Sequence, residues 1–358
     1  MTRLKVTDCL GDNLTKPELN VAVIGATGAV GAAFLNVAEE RKFPIGDLKL
    51  LASARSEGRK LEFRGETFTV HETSERELAG ADLVFCSASS EVSKVWGPWC
   101  RENQVVMIDD GSAYRMVDDV PLVVPEINAG DLDHHNWIIA IPNCTTTPLV
   151  MALDAIRQVA PISRVVATTY QAVSGTGAAA IEELKYQDTM IAEGQILPDP
   201  EVYPVQIARN VLPHVDDFEE DGFTKEELKM RNETRKILHT PDLPFASTCV
   251  RVPVLYGHSE VVQVEFDSEF SISTLGEALG SYSGIIFEQD FTKYITPLEA
   301  AGRDETFVSR LRVDPSVENG ILFWCVTDNL RKGAVTNAIQ IGEALIERGD
   351  LGNCSDLS

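Results

Sequence analysis

The sequence is poor in the features that mark metal, disulfide, membrane or nucleic-acid proteins. Its seven cysteines (Cys9, Cys86, Cys100, Cys144, Cys249, Cys325 and Cys354) are odd in number and form no C-x-x-C pair. Its six histidines show no H-E-x-x-H spacing. Neither a secreted disulfide framework nor a structural zinc site is expected, and no metal is assigned. No apolar run approaches the length of a membrane span, and the polar segment 1–20 lacks the apolar core of a signal peptide. Positive charge is in deficit, with 31 Lys and Arg against 55 Asp and Glu and a net charge of −24. Such a surface disfavours nucleic acid and anionic lipid, while one or two buried arginines can still make a basic pocket. No internal repeat is visible. Together these absences lead to the expectation of a soluble protein of a reducing cytoplasm.

With 358 residues the chain is long enough for two domains and for a core that needs no staple. Val21–Ile24 is a wholly apolar strand of the kind buried on both faces. A glycine-rich turn and a helical pattern through Arg41 follow it. Further strands are expected at Leu48–Ala52, Leu83–Cys86, Val105–Ile108 and Trp137–Ile141, alternating with helical segments. The expectation is an α/β architecture whose N-terminal half is a Rossmann-type, doubly wound parallel sheet. Beyond Pro142 the texture changes to a helix at Pro148–Val159, a strand at Arg164–Tyr170, and two strands, Thr248–Leu255 and Glu260–Phe266, flanking a turn at 256–259. This second part is expected to be an α+β domain on a mostly antiparallel sheet, to which the family resemblance given below assigns catalysis and dimerisation. The boundaries are a leader at 1–20, a dinucleotide domain at 21–143 rejoined by a final helix within 330–350, and a second domain at 144–329. The acidic stretches at Asp216–Asp221 and Glu226–Glu227 read as loops and a solvated helix face.

Gly25-x-x-Gly28-x-x-Gly31, between a buried strand and a helix, has the form that lets a backbone approach a pyrophosphate at a helix N-terminus. Without ligand the same glycines would make only a tight turn. After the second strand, Ser53-Ala54-Arg55-Ser56 offers hydroxyls and a guanidinium where NAD-binding proteins place a carboxylate. That substitution favours the 2′-phosphate of NADP, unless Arg55 is simply a solvated loop residue. Cys144, in Pro142-Asn143-Cys144-Thr145, stands between a strand end and a helix start, where free amides and the helix dipole lower a thiol pKa. The other six cysteines read as core fillers.

The glycine loop, Ser53 to Ser56, Pro142 to Thr145, the segment Gln171-Ala172-Val173-Ser174-Gly175-Thr176-Gly177, and Arg251-Val252-Pro253 followed by Gly257-His258-Ser259-Glu260 together resemble the aspartate-semialdehyde dehydrogenase family. The likeness runs from about Asn20 to Glu347, with the motifs in the family's order. It implies NADPH-dependent reductive dephosphorylation of L-aspartyl-4-phosphate to L-aspartate-4-semialdehyde, in lysine (through diaminopimelate), threonine and methionine biosynthesis. By resemblance, Cys144 is the nucleophile that forms a thioester, His258 the general acid/base, and Gln171 a catalytic and substrate-positioning residue. Arg251 clamps the substrate α-carboxylate and Glu227 its ammonium group; Arg115, Asn143 and Lys229 hold phosphate. The cofactor set is Gly25, Thr27, Gly28, Ala29, Val30, Ser53, Arg55, Ser56, Ser174, Gly175 and Asn329. The resemblance also implies a homodimer or homotetramer built through the second domain.

Three other readings stay open on the residues alone. Reduction of N-acetylglutamyl phosphate would use the same architecture but has no free ammonium group for a carboxylate to meet. A non-catalytic NADP-binding regulator would not need Cys144, Gln171, Arg251 and His258 together. A cysteine hydrolase would leave the glycine loop without a purpose.

Overall fold

A computed structural model describes residues 18–351; Cys9, Cys354 and nearly all of the expected leader lie outside the described residues. Two sheets organise the chain. The first contains β1 (Leu19–Ile24), β2 (Ile45–Ala52), β3 (Lys60–Phe63), β4 (Glu66–Glu72), β5 (Leu83–Cys86), β6 (Val106–Asp109) and β7 (Ile138–Ala140), in the order β3-β4-β2-β1-β5-β6-β7. All its pairings are parallel except the β3–β4 edge hairpin. The hairpin escapes an apolar-run reading because its residues are largely polar and exposed. The central strands β5 and β6 are buried at every position, as a sheet covered on both faces requires.

The second sheet contains β8 (Ile162–Gln171), β9 (Phe245–Arg251), β10 (His258–Phe266), β11 (Ile285–Phe287), β12 (Thr306–Val313) and β13 (Gly320–Thr327), in the order β11-β12-β13-β10-β8-β9. The pairings β10–β8, β10–β13 and β12–β13 are antiparallel, whereas β8–β9 and β11–β12 are parallel. β9 and β10 therefore do not form the hairpin their spacing suggests, because β8 lies between them. β9 also stops at Arg251, before Pro253, which has no N–H for a ladder. His258 and Ser259 belong to β10 rather than to the preceding turn.

The helix Thr146–Arg157 joins the two sheets. Every residue from Thr146 to Ile156 is buried, so the helix is contact surface all round. Its Leu149, Val150, Leu153 and Ile156 belong to one core with Ile24, Val84 and Met107 of the first sheet and Val165, Val262, Phe323 and Cys325 of the second. The opposite face of the first sheet is covered by the helix Ala29–Glu40 and by the last helix, Thr336–Arg348, whose Ala338, Ile339, Ile341 and Leu345 pack with Phe34, Phe43 and Leu83.

The strand-to-helix turn after β1 is closely packed. Gly25 has φ +85°, and a Cβ there would collide with the Ser87 carbonyl oxygen. A Cβ on Gly31 would collide with the Gly25 carbonyl oxygen and come within 2.7 Å of Ala26 Cα. Both obstacles are backbone atoms with no room to yield. Gly31→Ala should therefore cost on the order of 1–3 kcal/mol and lower Tm by several degrees in calorimetry. An unchanged Tm would show that the turn can relax.

Candidate active site

Cys144 lies in the link between β7 and the central helix, so the fold's most buried helix begins at the thiol. It is half-buried, while Cys86, Cys100, Cys249 and Cys325 are buried. Its Sγ donates a long hydrogen bond to Asn143 Oδ1 at 3.5 Å. The turn Arg331–Val335 closes behind it, since a Cβ on Gly333 would come within 3.0 Å of Cys144 Cβ. A cleft of about 410 Å³ opens in front, lined by Ala88, Ser89, Arg115, Asn143, Gln171, Gly175, Asp216, Glu226, Lys229 and Arg251 among others. Ala88, one of the lining residues, follows Ser87, which packs against Gly25, so this part of the cleft lies beside the glycine turn.

The second sheet supplies one wall through register. Gln171 ends β8 and Arg251, its partner, ends β9. His258 begins β10, and the Ser259–Tyr170 pairing places it across from Gln171. The Ala172 peptide then serves two of these side chains: its N–H donates to His258 Nδ1 at 2.9 Å, and its carbonyl accepts from Arg251 Nη1 at 2.7 Å. With Nδ1 accepting, the proton of a neutral ring sits on Nε2, a buried atom with no partner among the described residues. Burial, then the adjacent Arg251 guanidinium, pushes the His258 imidazole well below its ordinary pKa, so the ring is neutral. Gly175 is wedged beside it, where a Cβ would come within 2.9 Å of His258 Nε2.

The adjoining wall comes from the helix Lys225–Ile237. Here the structure corrects the sequence reading: Glu226 and Glu227 are both buried rather than solvated, and it is Glu226 that faces the cleft. Glu227 completes a capping box with Thr224, accepting from Thr224 N at 2.8 Å, and its other oxygen accepts from Cys249 N at 3.0 Å. Both of its oxygens are thus spent on backbone. Glu226 Oε1 accepts from Asn143 Nδ2 at 2.7 Å and Gln171 Nε2 at 3.0 Å. Lys229 Nζ pairs with Asp216 Oδ2 at 2.6 Å and Glu226 Oε2 at 3.4 Å. Arg115 reaches the same cleft from the first sheet's side, paired with Glu233 at 3.0 Å.

The thiol is a second correction. Burial pushes the Cys144 pKa up to about 12, and the Glu226 charge adds to this, while Arg115 and Arg251 pull the other way. The helix-start effect does not prevail over desolvation beside a carboxylate. Glu260, on the same face of β10 as His258, is buried with both oxygens unpartnered among the described residues; burial and Glu226 hold it well above the ordinary carboxylate range, as a neutral acid. It is not among the site residues expected from the sequence, and neither are Glu226, Glu233 and Asp216.

The expected cofactor residues fall in two places. Thr27, Gly28, Ala29 and Val30 form the start of the first helix, and Thr27 Oγ1 lies 3.3 Å from Ser56 Oγ, linking the glycine turn to the Ala54–Ser56 turn after β2. Ser53 and Arg55 are exposed there. In the second place, Asn329 Oδ1 accepts from Ser174 Oγ at 3.0 Å and Gly257 N at 2.9 Å, and its buried Nδ2 has no partner among the described residues. A glycine turn whose backbone packing admits no Cβ at Gly25 or Gly31, and a buried amide donor at Asn329 with no partner among the described residues, both fit a dinucleotide. Among the described residues no group of three or more His, Cys, Asp or Glu could hold a metal ion, and no helix is long and apolar enough to cross a membrane.

A dinucleotide platform joined to a cysteine flanked by arginines defines a nicotinamide-dependent oxidoreductase that works through a thiol. Comparison with known proteins agrees. Residues 20–135 match the semialdehyde dehydrogenase NAD binding domain, and residues 153–332 the semialdehyde dehydrogenase dimerisation domain. An aspartate-semialdehyde dehydrogenase of Aquifex aeolicus is 49% identical over 92% of this chain and 98% of its own. That of Bacillus subtilis is 43% identical over 91% and 97%. A crystal structure of aspartate semialdehyde dehydrogenase II from Vibrio cholerae, complexed with ASA, superposes with a TM-score of 0.89 at 41% identity, covering 92% of this chain and 98% of that one. The chain belongs to the aspartate-semialdehyde dehydrogenase family.

A thiol with a pKa near 12 reacts with iodoacetamide through a small thiolate fraction. Alkylation of Cys144, followed by mass spectrometry, should accelerate about tenfold per pH unit from pH 7 to 9. A plateau below pH 8 would mean that the thiol is already ionised in that range.

Proposed function

We propose that the protein reduces L-aspartyl-4-phosphate to L-aspartate-4-semialdehyde with NADPH, through a thioester on Cys144. The observation that carries this reading is the cleft that gathers Cys144, Arg251, Arg115 and Lys229 and whose Ala88 lies beside the glycine turn. A substrate with a carboxylate at one end and an acyl phosphate at the other finds a cation for each anion. Glu226, rather than Glu227, receives the substrate ammonium group; it is the buried carboxylate that faces the cleft. Gln171, held by Thr169 Oγ1 on its oxygen and by Glu226 on its nitrogen, positions the acyl group.

In the first step the bond from Cys144 Sγ to the acyl carbon forms and the carbon–oxygen bond to phosphate breaks. The thiol proton ends on the departing phosphate, itself a strong base, which suits a thiol that burial keeps protonated. Arg115, Asn143 and Lys229 receive the anion. The bound nicotinamide supplies the hydride for the second step. His258, neutral and protonated at Nε2, then donates a hydrogen bond to the developing oxyanion; as the carbon–sulfur bond breaks, the oxyanion becomes the aldehyde carbonyl and the departing thiolate takes a proton from solvent. Arg55, Ser53 and Ser56, with no carboxylate at the end of β2, support NADP over NAD. A glycine-loop domain at 21–143 rejoined by 330–350, and a catalytic domain at 144–329 that dimerises, complete the proposal. The likeness to a dimerisation domain over 153–332 and the exposure of Tyr170 on the second sheet support a homodimer, of which a tetramer would be a pair.

The reverse reaction tests this. NADP should be reduced with L-aspartate-4-semialdehyde only when inorganic phosphate is present, and Cys144→Ala should lower turnover by at least about 10³-fold while NADPH binding persists. Retained turnover would remove the thioester. A signal with N-acetylglutamate semialdehyde alone would remove Glu226 as the ammonium partner. Arg55→Ala should raise KM for NADP about tenfold and leave that for NAD unchanged; equal effects on both would remove the 2′-phosphate contact.

A further inference from the structure

Glu226, Lys229 and Glu233 stand at i, i+3 and i+7 of one helix, so they share a face, yet only the first two line the cleft. Glu233 lies one turn deeper and is fully buried. Its two oxygens hold two different parts of the first domain's side of the site. Oε1 pairs with Arg115 Nη1 at 3.0 Å, and Oε2 accepts from the backbone N–H of Asn143 at 2.7 Å. Arg115 Nη2 donates to the Asp110 carbonyl oxygen at 2.7 Å, and its buried Nε is unpartnered among the described residues. The guanidinium is thus pinned by two donors and keeps others for a ligand. Asn143 directly precedes Cys144.

We propose that Glu233 is the positioning residue of the oxyanion subsite: one carboxylate, reaching across from the second domain, fixes the phosphate-binding guanidinium and the backbone that presents the nucleophile in a single geometry. The inference rests on the phosphate reading of the cleft. The loop that bears Arg115 has a separate anchor, because Lys236 Nζ donates to the carbonyl oxygens of Arg115, Val117 and Val120, each at 2.8 Å. Loss of Glu233 therefore leaves the loop in place and releases the guanidinium. A glutamine at 233 can still accept from Asn143 N, but it turns an NH₂ toward another donor at Arg115. An aspartate keeps the charge and is too short to span both partners.

Steady-state kinetics of the reverse reaction on the full-length protein provide the test, with inorganic phosphate as the probe. Glu233→Gln should raise KM for phosphate tenfold or more, hold KM for NADP within twofold, and keep kcat at saturating phosphate within threefold. Phosphate should also lose its protection of Cys144 against iodoacetamide. Combined with Arg115→Ala, the Glu233→Gln change should add nothing further to KM for phosphate. An unchanged KM, or effects of the two substitutions that multiply, would overturn the inference. If Glu233→Gln does not fold, Glu233→Asp carries the same test, with a smaller rise of about fivefold expected and an unchanged KM again decisive. A wild-type protein that needs no phosphate would instead overturn the functional reading itself.

Discussion

Two carboxylates buried on one face of the helix Lys225–Ile237 organise the site. A buried charge without partners is expensive, so Glu226 and Glu233 must be met by donors, and those donors are the side chains and amides of the cleft. Glu226 collects Asn143, Gln171 and Lys229, while Glu233 collects Arg115 and the Asn143 backbone. Both sheets thereby become parts of one rigid wall. Arg115 and Lys229 are pre-placed for anions because carboxylates of the protein already hold them, and Arg251 because the Ala172 carbonyl oxygen does.

The same burial sets the proton inventory. Cys144 rests as a thiol, His258 as a neutral imidazole and Glu260 as a neutral acid, all because desolvation disfavours their charged forms. A site built this way keeps fixed charge at its edges, on Arg115, Lys229, Arg251 and Glu226, and neutral reacting groups at its centre. Charge then develops during the reaction, where preoriented donors can answer it.

Much of this architecture was legible from apolar runs. Leu83–Cys86 is a strand with the expected bounds, and the other parallel strands shift by only a few residues, because a strand buried on both faces is written as a continuous apolar segment. The hairpin of β3 and β4 was not legible, since its residues are mostly exposed and polar. Nor was the insertion of β8 between β9 and β10, because adjacency in sequence says nothing about a third strand from eighty residues upstream. The exchange of Glu226 and Glu227 had a signal that was passed over: Thr224-Lys225-Glu226-Glu227 has the spacing of a capping box, which commits the second glutamate to the backbone and frees the first. The raised thiol pKa had none, because desolvation depends on neighbours remote in sequence.

The closing role of the C-terminal segment bears on how the chain is made. The last helix seals one face of the sheet that begins at Leu19, and Gly333 packs against Cys144. A growing polypeptide folds from its N-terminus as it leaves the ribosome, so the first sheet waits for nearly the entire chain before its core is covered. The nucleophile is seated only once the last helix has left the ribosome, and any product truncated before that helix exposes apolar sheet surface and becomes a substrate for chaperones and proteases rather than a half-active enzyme.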